Sequence, residues 1–172
     1  MQKAYLEGLP LFKDLTPEEK AELEALFEPA SFEAGEVILE EDGREKYLYV
    51  LTSGVVEVHK EVFPGRLQHL ATIEAPTVVG EIGLMTEPRA TATVTARGPV
   101  EAQRLPREAF LKKLETDSEA AYKVVYEIGR ILAERMARTD ERVAKIVTQI
   151  EDAESDRDFD VFREKLMQEW SF

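Results

Sequence analysis

The stretch Gly80-Glu81-Ile82-Gly83-Leu84-Met85-Thr86-Glu87-Pro88-Arg89-Ala90-Thr91-Ala92-Thr93-Val94 sets a Gly-Glu step at the mouth of a short helix and an arginine just ahead of an alternating strand. The first turn of a helix presents backbone N–H groups with no intrahelical acceptor, together with the positive end of the helix dipole, and both suit a phosphate. An arginine adds a two-pronged, charge-assisted contact to the same anion. The carboxylate of Glu81 repels a phosphate, so it needs another task, such as accepting a hydrogen bond from a sugar hydroxyl. Phosphate, ribose and a surrounding β-framework point to a small nucleotide held inside a barrel.

Outward from this stretch, the region from Phe32 to about Leu105 reads as short strands separated by turns at Asp42-Gly43, Ser53-Gly54, Pro64-Gly65, Ala75-Pro76 and Gly98-Pro99. Before it, Thr16-Pro17-Glu18-Glu19 carries a capping hydroxyl, a proline suited to the first helical position and a glutamate able to close a capping box, with Pro29 expected to end that helix. After it, Pro106 to Leu114 predicts a short helix, and Ser118 to about Ile150 a long one free of proline. The long helix carries an apolar stripe that includes Val124, Ile128, Leu132, Met136, Val143 and Ile146, more than one small barrel can cover. That stripe predicts a seam with a second copy, the alternative being packing on its own barrel. Phe162, Leu166 and Trp170 fall at i, i+4 and i+8, which predicts a short amphipathic helix in the tail.

The Gly80–Val94 stretch resembles the phosphate-binding cassette of the cyclic nucleotide-binding domain, as found in the catabolite-activator family and in kinase regulatory subunits. Phe32 to Gly43 is similar to the family's opening strand and glycine turn, Leu48 to Val58 to its central hairpin, and Leu132 to Val143 to its long dimer helix. The resemblance implies a mainly β fold with helices: a double-stranded β-helix (jelly-roll) barrel with an N-terminal helix, a long C-terminal dimer helix and a short helical tail. The implied division is a nucleotide-binding domain over 1–117, a dimerisation helix over 118–150, and an acidic linker with an amphipathic tail over 151–172. It also implies a ligand site of Gly80, Glu81, Ile82, Gly83, Leu84, Arg89, Ala90, Thr91 and Thr139. In that site the amides at Ile82 to Leu84 and Arg89 hold the cyclic phosphate, and Glu81 anchors the ribose hydroxyl. Thr91 and Thr139 contact phosphate or base, a solvated helical turn being the alternative for Thr139.

One feature departs from the family. Many members read Gly-Glu, a loop, then Pro-Arg and a small residue before Ala-Thr-Val. Here Arg89 arrives one place early and Ala90 stands at the arginine position, while Thr91 keeps its spacing from Gly80-Glu81. Side chains alternate along a strand, so a one-residue slip turns an arginine to the opposite face. Arg89 is then expected to lie with Thr91, Thr93 and Thr95, opposite Ala90, Ala92 and Val94. A bulge near Pro88 could restore its direction, so either outcome stays open.

Composition narrows the field. A chain of 172 residues with 44% hydrophobic content has ample material for one core. No run of about 18 apolar residues predicts a membrane span. The start, Met1-Gln2-Lys3-Ala4-Tyr5, lacks the apolar centre of a secretion signal, so a cytoplasmic location is expected. With no cysteine, disulfides and thiolate metal sites are excluded. A net charge of −13 and the acidic stretch after Ile150 argue against DNA binding, and little chain follows that helix for a helix-turn-helix unit. His59 and His69 are the only histidines, too few for the metal set of a cupin enzyme, and no nucleophile elbow or phosphate-loop motif is present. No catalytic residue, metal or required cofactor is expected.

The leading expectation is a stand-alone homodimeric sensor that binds cyclic AMP, with cyclic GMP the other candidate, and acts through an effector protein the sequence leaves unnamed. The competing expectation is a fold kept as a dimerisation or protein-interaction scaffold with an altered pocket.

Overall fold

The computed structural model describes residues 6–44, 46–85 and 89–153, with backbone alone for 149–153. The expected amphipathic tail and Pro88 lie outside the described residues. The chain divides into two compact units between Ile128 and Gly129.

The first unit opens with a 3₁₀ turn, Pro10–Phe12, and helix α1, Pro17–Glu24. The capping box read from the sequence is in place: the Thr16 hydroxyl accepts from the Glu19 N–H at 3.3 Å, and the Glu19 carboxylate accepts from the Thr16 N–H at 2.8 Å. The helix stops at Glu24, however, and Pro29 sits within strand β1, Glu28–Phe32, an edge strand that pairs with Val100–Pro106. An edge strand tolerates a residue that lacks an N–H, so Pro29 marks a sheet edge and not a helix end.

Six further strands follow before the last: β2 Val37–Leu39, β3 Tyr47–Ser53, β4 Val55–Phe63, β5 Arg66–Glu74, β6 Thr77–Val79 and β7 Thr93–Ala96. Strand β8, Val100–Pro106, completes two antiparallel four-stranded sheets, ordered β1-β8-β3-β6 and β2-β7-β4-β5. The short helix α2, Glu81–Met85, is set between β6 and β7. The fold is mainly β with helices, as expected, built as two facing sheets. Between them pack Ile38, Tyr49, Leu51, Val56, Val79 and Val94. Leu48 and Val50, on the opposite face of β3, are also fully buried, which explains the continuous apolar run Leu48–Leu51.

The chain passes from one sheet to the other at Gly54. Its φ is +98°, and a Cβ there would sit 2.5 Å from the Pro99 carbonyl oxygen and 3.0 Å from Val100 Cα. Only glycine meets both conditions.

Helix α3, Arg107–Glu115, buries Phe110, and helix α4, Glu119–Ala153, buries Ala121, Val124 and Ile128 within the first unit. The buried carboxylate Glu127 is paired there with Lys13 at 3.4 Å. In the second unit α4 is solvated on several sides: Arg130 and Arg138 pair with Glu134, while Met136 and Ile146 are 47% and 53% exposed.

Candidate functional site

Gly80 turns the chain from β6 into α2 with φ +89°, a conformation that a side chain disfavours. Glu81, the first residue of α2, is buried at 8% exposure; Gly83 and Leu84 are buried and Ile82 half-buried. A carboxylate at a helix N-terminus is favoured by the dipole, which offsets part of its desolvation. The position is fixed from two sides. Val79, just before Gly80, pairs with Tyr49 of β3, and α2 packs against β3. From the other side, Arg107 Nε donates to the Gly83 carbonyl at 2.8 Å.

The same arginine reaches a second segment, since its backbone N–H donates to the Lys46 carbonyl at 2.8 Å. Lys46 belongs to the loop between β2 and β3, which rims a cavity of about 300 Å³. Ile38, Leu39, Tyr47, Tyr49 and Ala90 give this cavity apolar and aromatic walls. Its charged edge is Glu40, Arg44 and Lys46. Tyr47 and Tyr49 have ring centroids 5.9 Å apart, and the Arg104 guanidinium lies over the Tyr47 ring at 4.7 Å while its hydrogen bond to Glu28 fixes it.

Residues 89–91 join this loop by backbone bonds. The Asp42 N–H donates to the Ala90 carbonyl at 2.9 Å and the Ala90 N–H to the Gly43 carbonyl at 3.1 Å; Arg44 and Arg89 form an antiparallel bridge. Ala90 is buried and walls the cavity, whereas Arg89 is exposed and outside the lining. Burial follows the expected alternation only in part: Ala90 and Val94 are buried and Arg89 and Thr91 exposed, whereas Ala92, Thr93 and Thr95 are all half-buried, because residues 91–92 bend ahead of β7. Thr91 takes part through its carbonyl, which accepts from Lys60 Nζ at 2.7 Å. Lys60 also bonds Glu41 Oε1 at 2.8 Å, and Glu41 Oε2 accepts the Glu61 N–H at 2.7 Å. The Lys60 hydrogen bond, followed by that of the Glu61 amide, holds the Glu41 carboxyl below the usual carboxylate range. The clamp Lys60–Glu41 ties the loop, strand β4 and residue 91 together.

Thr139 lies exposed on α4 in the second unit, with its hydroxyl donating to the Arg135 carbonyl at 2.9 Å. Sequence reasoning did not single out Arg44, Lys46, Lys60 or Arg107. Only Arg44 carried a local signal, as a cation next to the Asp42-Gly43 turn.

A second cavity, of about 480 Å³, is edged by Glu41, Asp42 and Glu61 with Val62, Phe63 and Pro64. Its acidic rim suits an anion poorly. His59 and His69 stack edge to face at 5.2 Å, and His69 bonds the Thr72 hydroxyl. Among the described residues, no group of three or more His, Asp or Glu side chains is placed to hold a metal ion. None of the described helices is long and apolar enough to cross a membrane.

The profile of the cyclic nucleotide-binding domain matches residues 29–117, the span from β1 through α3. The chain belongs to the cyclic nucleotide-binding domain family. A cAMP-dependent protein kinase regulatory subunit of Aspergillus fumigatus is 30% identical over 114 residues, 66% of this chain and 27% of that protein. The crystal structure of Thermus thermophilus catabolite activator protein superposes with a TM-score of 0.70 at 25% identity, covering 80% of this chain and 62% of that one. A cAMP-bound structure of PfPKA-R gives a TM-score of 0.59 at 28% identity, covering 63% of this chain and 38% of that one. This chain spans less than a third of the length of the kinase regulatory subunit it matches. The Gly80-Glu81 step at the head of α2 lies within the matched span, and so does Ala90 on the cavity wall.

Proposed function

We propose that this chain is a cyclic nucleotide-binding regulatory protein, with cyclic AMP as ligand and cyclic GMP as the competing one, that acts without catalysis through a separate partner protein in the cytoplasm. The observation that carries the reading is the buried Glu81 at the head of α2, reached through the positive-φ Gly80, in a chain of this family. The amides of Ile82, Gly83 and Leu84 are proposed to take the phosphate and Glu81 the ribose hydroxyl, with Arg89, Ala90 and Thr91 closing that side and Thr139 meeting the base. Family membership and the cAMP-bound relative support the ligand class. The half-exposed stripe on α4 supports a homodimer, with residues 1–117 as the binding domain, 118–150 as the dimer helix and 151–172 as linker and tail. Ligand binding then biases the arrangement of two such helices by its differential affinity for the two states.

Titration calorimetry against cyclic AMP and cyclic GMP tests this. Saturable binding is expected, weakened at least about tenfold by Glu81→Gln, which removes the charge from the hydroxyl acceptor. No heat of binding with either nucleotide up to millimolar concentration refutes the proposal.

A second reading is favoured by one observation: Ala90, not an arginine, faces the cavity. In this reading the fold is a dimerisation or protein-interaction scaffold with an altered pocket. Arg89→Ala separates the two in part, since lost affinity supports the sensor, and unchanged affinity requires another cation or none.

A further inference from the structure

Resting on the nucleotide-binding reading, we propose that Arg44 is the phosphate anchor of this chain, supplying from the β2–β3 loop the guanidinium that the slip at Arg89 removed from the cavity wall. Four observations carry this. Ala90 leaves its part of the wall without a cation, and Arg44 lines the same cavity. Among the described residues the charged edge is Arg44 and Lys46 against Glu40, on a chain of net charge −13. Carboxylates outnumber arginine and lysine 35 to 22, yet neither Arg44 nor Arg89 has a side-chain hydrogen bond or ion pair among the described residues.

The fourth observation is the bridge itself. Arg44 and Arg89 are paired antiparallel neighbours. Directly opposed residues in such a pair bring their Cβ atoms to about 5 Å, and like charges at that spacing repel. An anion held by Arg44 relieves that repulsion and gives its guanidinium a charge-assisted partner. The loop is also mechanically tied to α2, because Arg107 binds Lys46 with its backbone and Gly83 with its side chain. A phosphate held by Arg44 therefore couples the loop to the helix that carries Glu81. Exposure of Arg44 leaves it free to rotate toward an incoming ligand with no core packing to break.

The test compares the full chain with Arg44→Ala, Arg44→Lys and Arg89→Ala by calorimetry with cyclic AMP, each variant checked for an unchanged fold by its amide NMR spectrum. Arg44→Ala is expected to weaken binding at least tenfold, and Arg44→Lys to recover only part of the loss because an ammonium lacks the two-pronged geometry. Arg44→Ala within threefold of the unsubstituted chain overturns the assignment, whatever Arg89→Ala does. If the unsubstituted chain binds neither cyclic nucleotide, the functional reading fails on its own. Arg44 is then judged by titrating the chain with inorganic phosphate while following arginine Nε–H signals. A saturable shift of the Arg44 signal supports the anchor, and a signal that stays in place overturns it.

Discussion

Replacing Gly54 with alanine tests the geometry on which the two-sheet framework turns. The added methyl must adopt φ +98°, outside the region where left-handed residues are tolerated, and such backbone strain costs about 1–3 kcal/mol. It must also sit 2.5 Å from the Pro99 carbonyl oxygen and 3.0 Å from Val100 Cα. Both are backbone atoms, so no rotamer change relieves the contact, and displacing packed backbone costs about a further 1–3 kcal/mol. The two effects together destabilise by about 4 kcal/mol, which for a chain of this size lowers Tm by about 8–16 °C. Gly98→Ala is the matched control in the neighbouring turn. Nothing lies within 4 Å of its Cβ position and its φ is not positive, so a change under about 0.5 kcal/mol is expected. Thermal unfolding followed by circular dichroism, with urea titration to check that the m-value is unchanged, measures both. Equal Tm values for Gly54→Ala and Gly98→Ala would refute the argument, because the two differ chiefly in φ and in the backbone atoms a methyl meets.

Three further outcomes follow from the same geometry. The carboxyls of Glu19, Glu22 and Glu41 are lowered by hydrogen bonds from Lys123, Lys113 and Lys60 respectively, so their stabilisation is present above the ordinary carboxylate pKa and is lost as pH falls through the depressed folded values. Tm should therefore fall as pH drops below about 4, with a shallower fall in Glu41→Gln, and a Tm flat down to pH 3 contradicts this. Arg107→Met leaves the partly buried Gly83 carbonyl without its 2.8 Å donor, destabilising by about 1–3 kcal/mol and weakening cyclic AMP binding by loosening α2; unchanged affinity by calorimetry contradicts the anchoring role. Met136→Glu with Ile146→Glu should convert a dimer into a monomer in sedimentation equilibrium while the first unit keeps its unfolding transition; a monomeric unsubstituted chain contradicts the seam.

Much of the fold was legible because its signals are local. Thr16 to Glu19 encodes a capping box in four residues, and the glycine turns mark where strands must end. Pro29 was misread because a proline stops a helix and suits a sheet edge equally well, and only the pairing partner decides which. The early arrival of the arginine was legible too, and Ala90 is buried where Arg89 is exposed, but the bend at residues 91–92 interrupts the alternation that a continuous strand would give. The cations that meet residues 89–91 were not legible. Arg44 meets Arg89 through a bridge between segments far apart in sequence, and Lys60 reaches Thr91 across 31 residues. No spacing rule ties such partners together before the sheets are assembled.

The most direct measurement is a crystal structure of the chain with cyclic AMP bound. The phosphate is expected within about 3 Å of the α2 amides and of the Arg44 guanidinium, with the ribose hydroxyl on Glu81. Density for the nucleotide elsewhere, or a cavity that stays empty at saturating cyclic AMP, would contradict it.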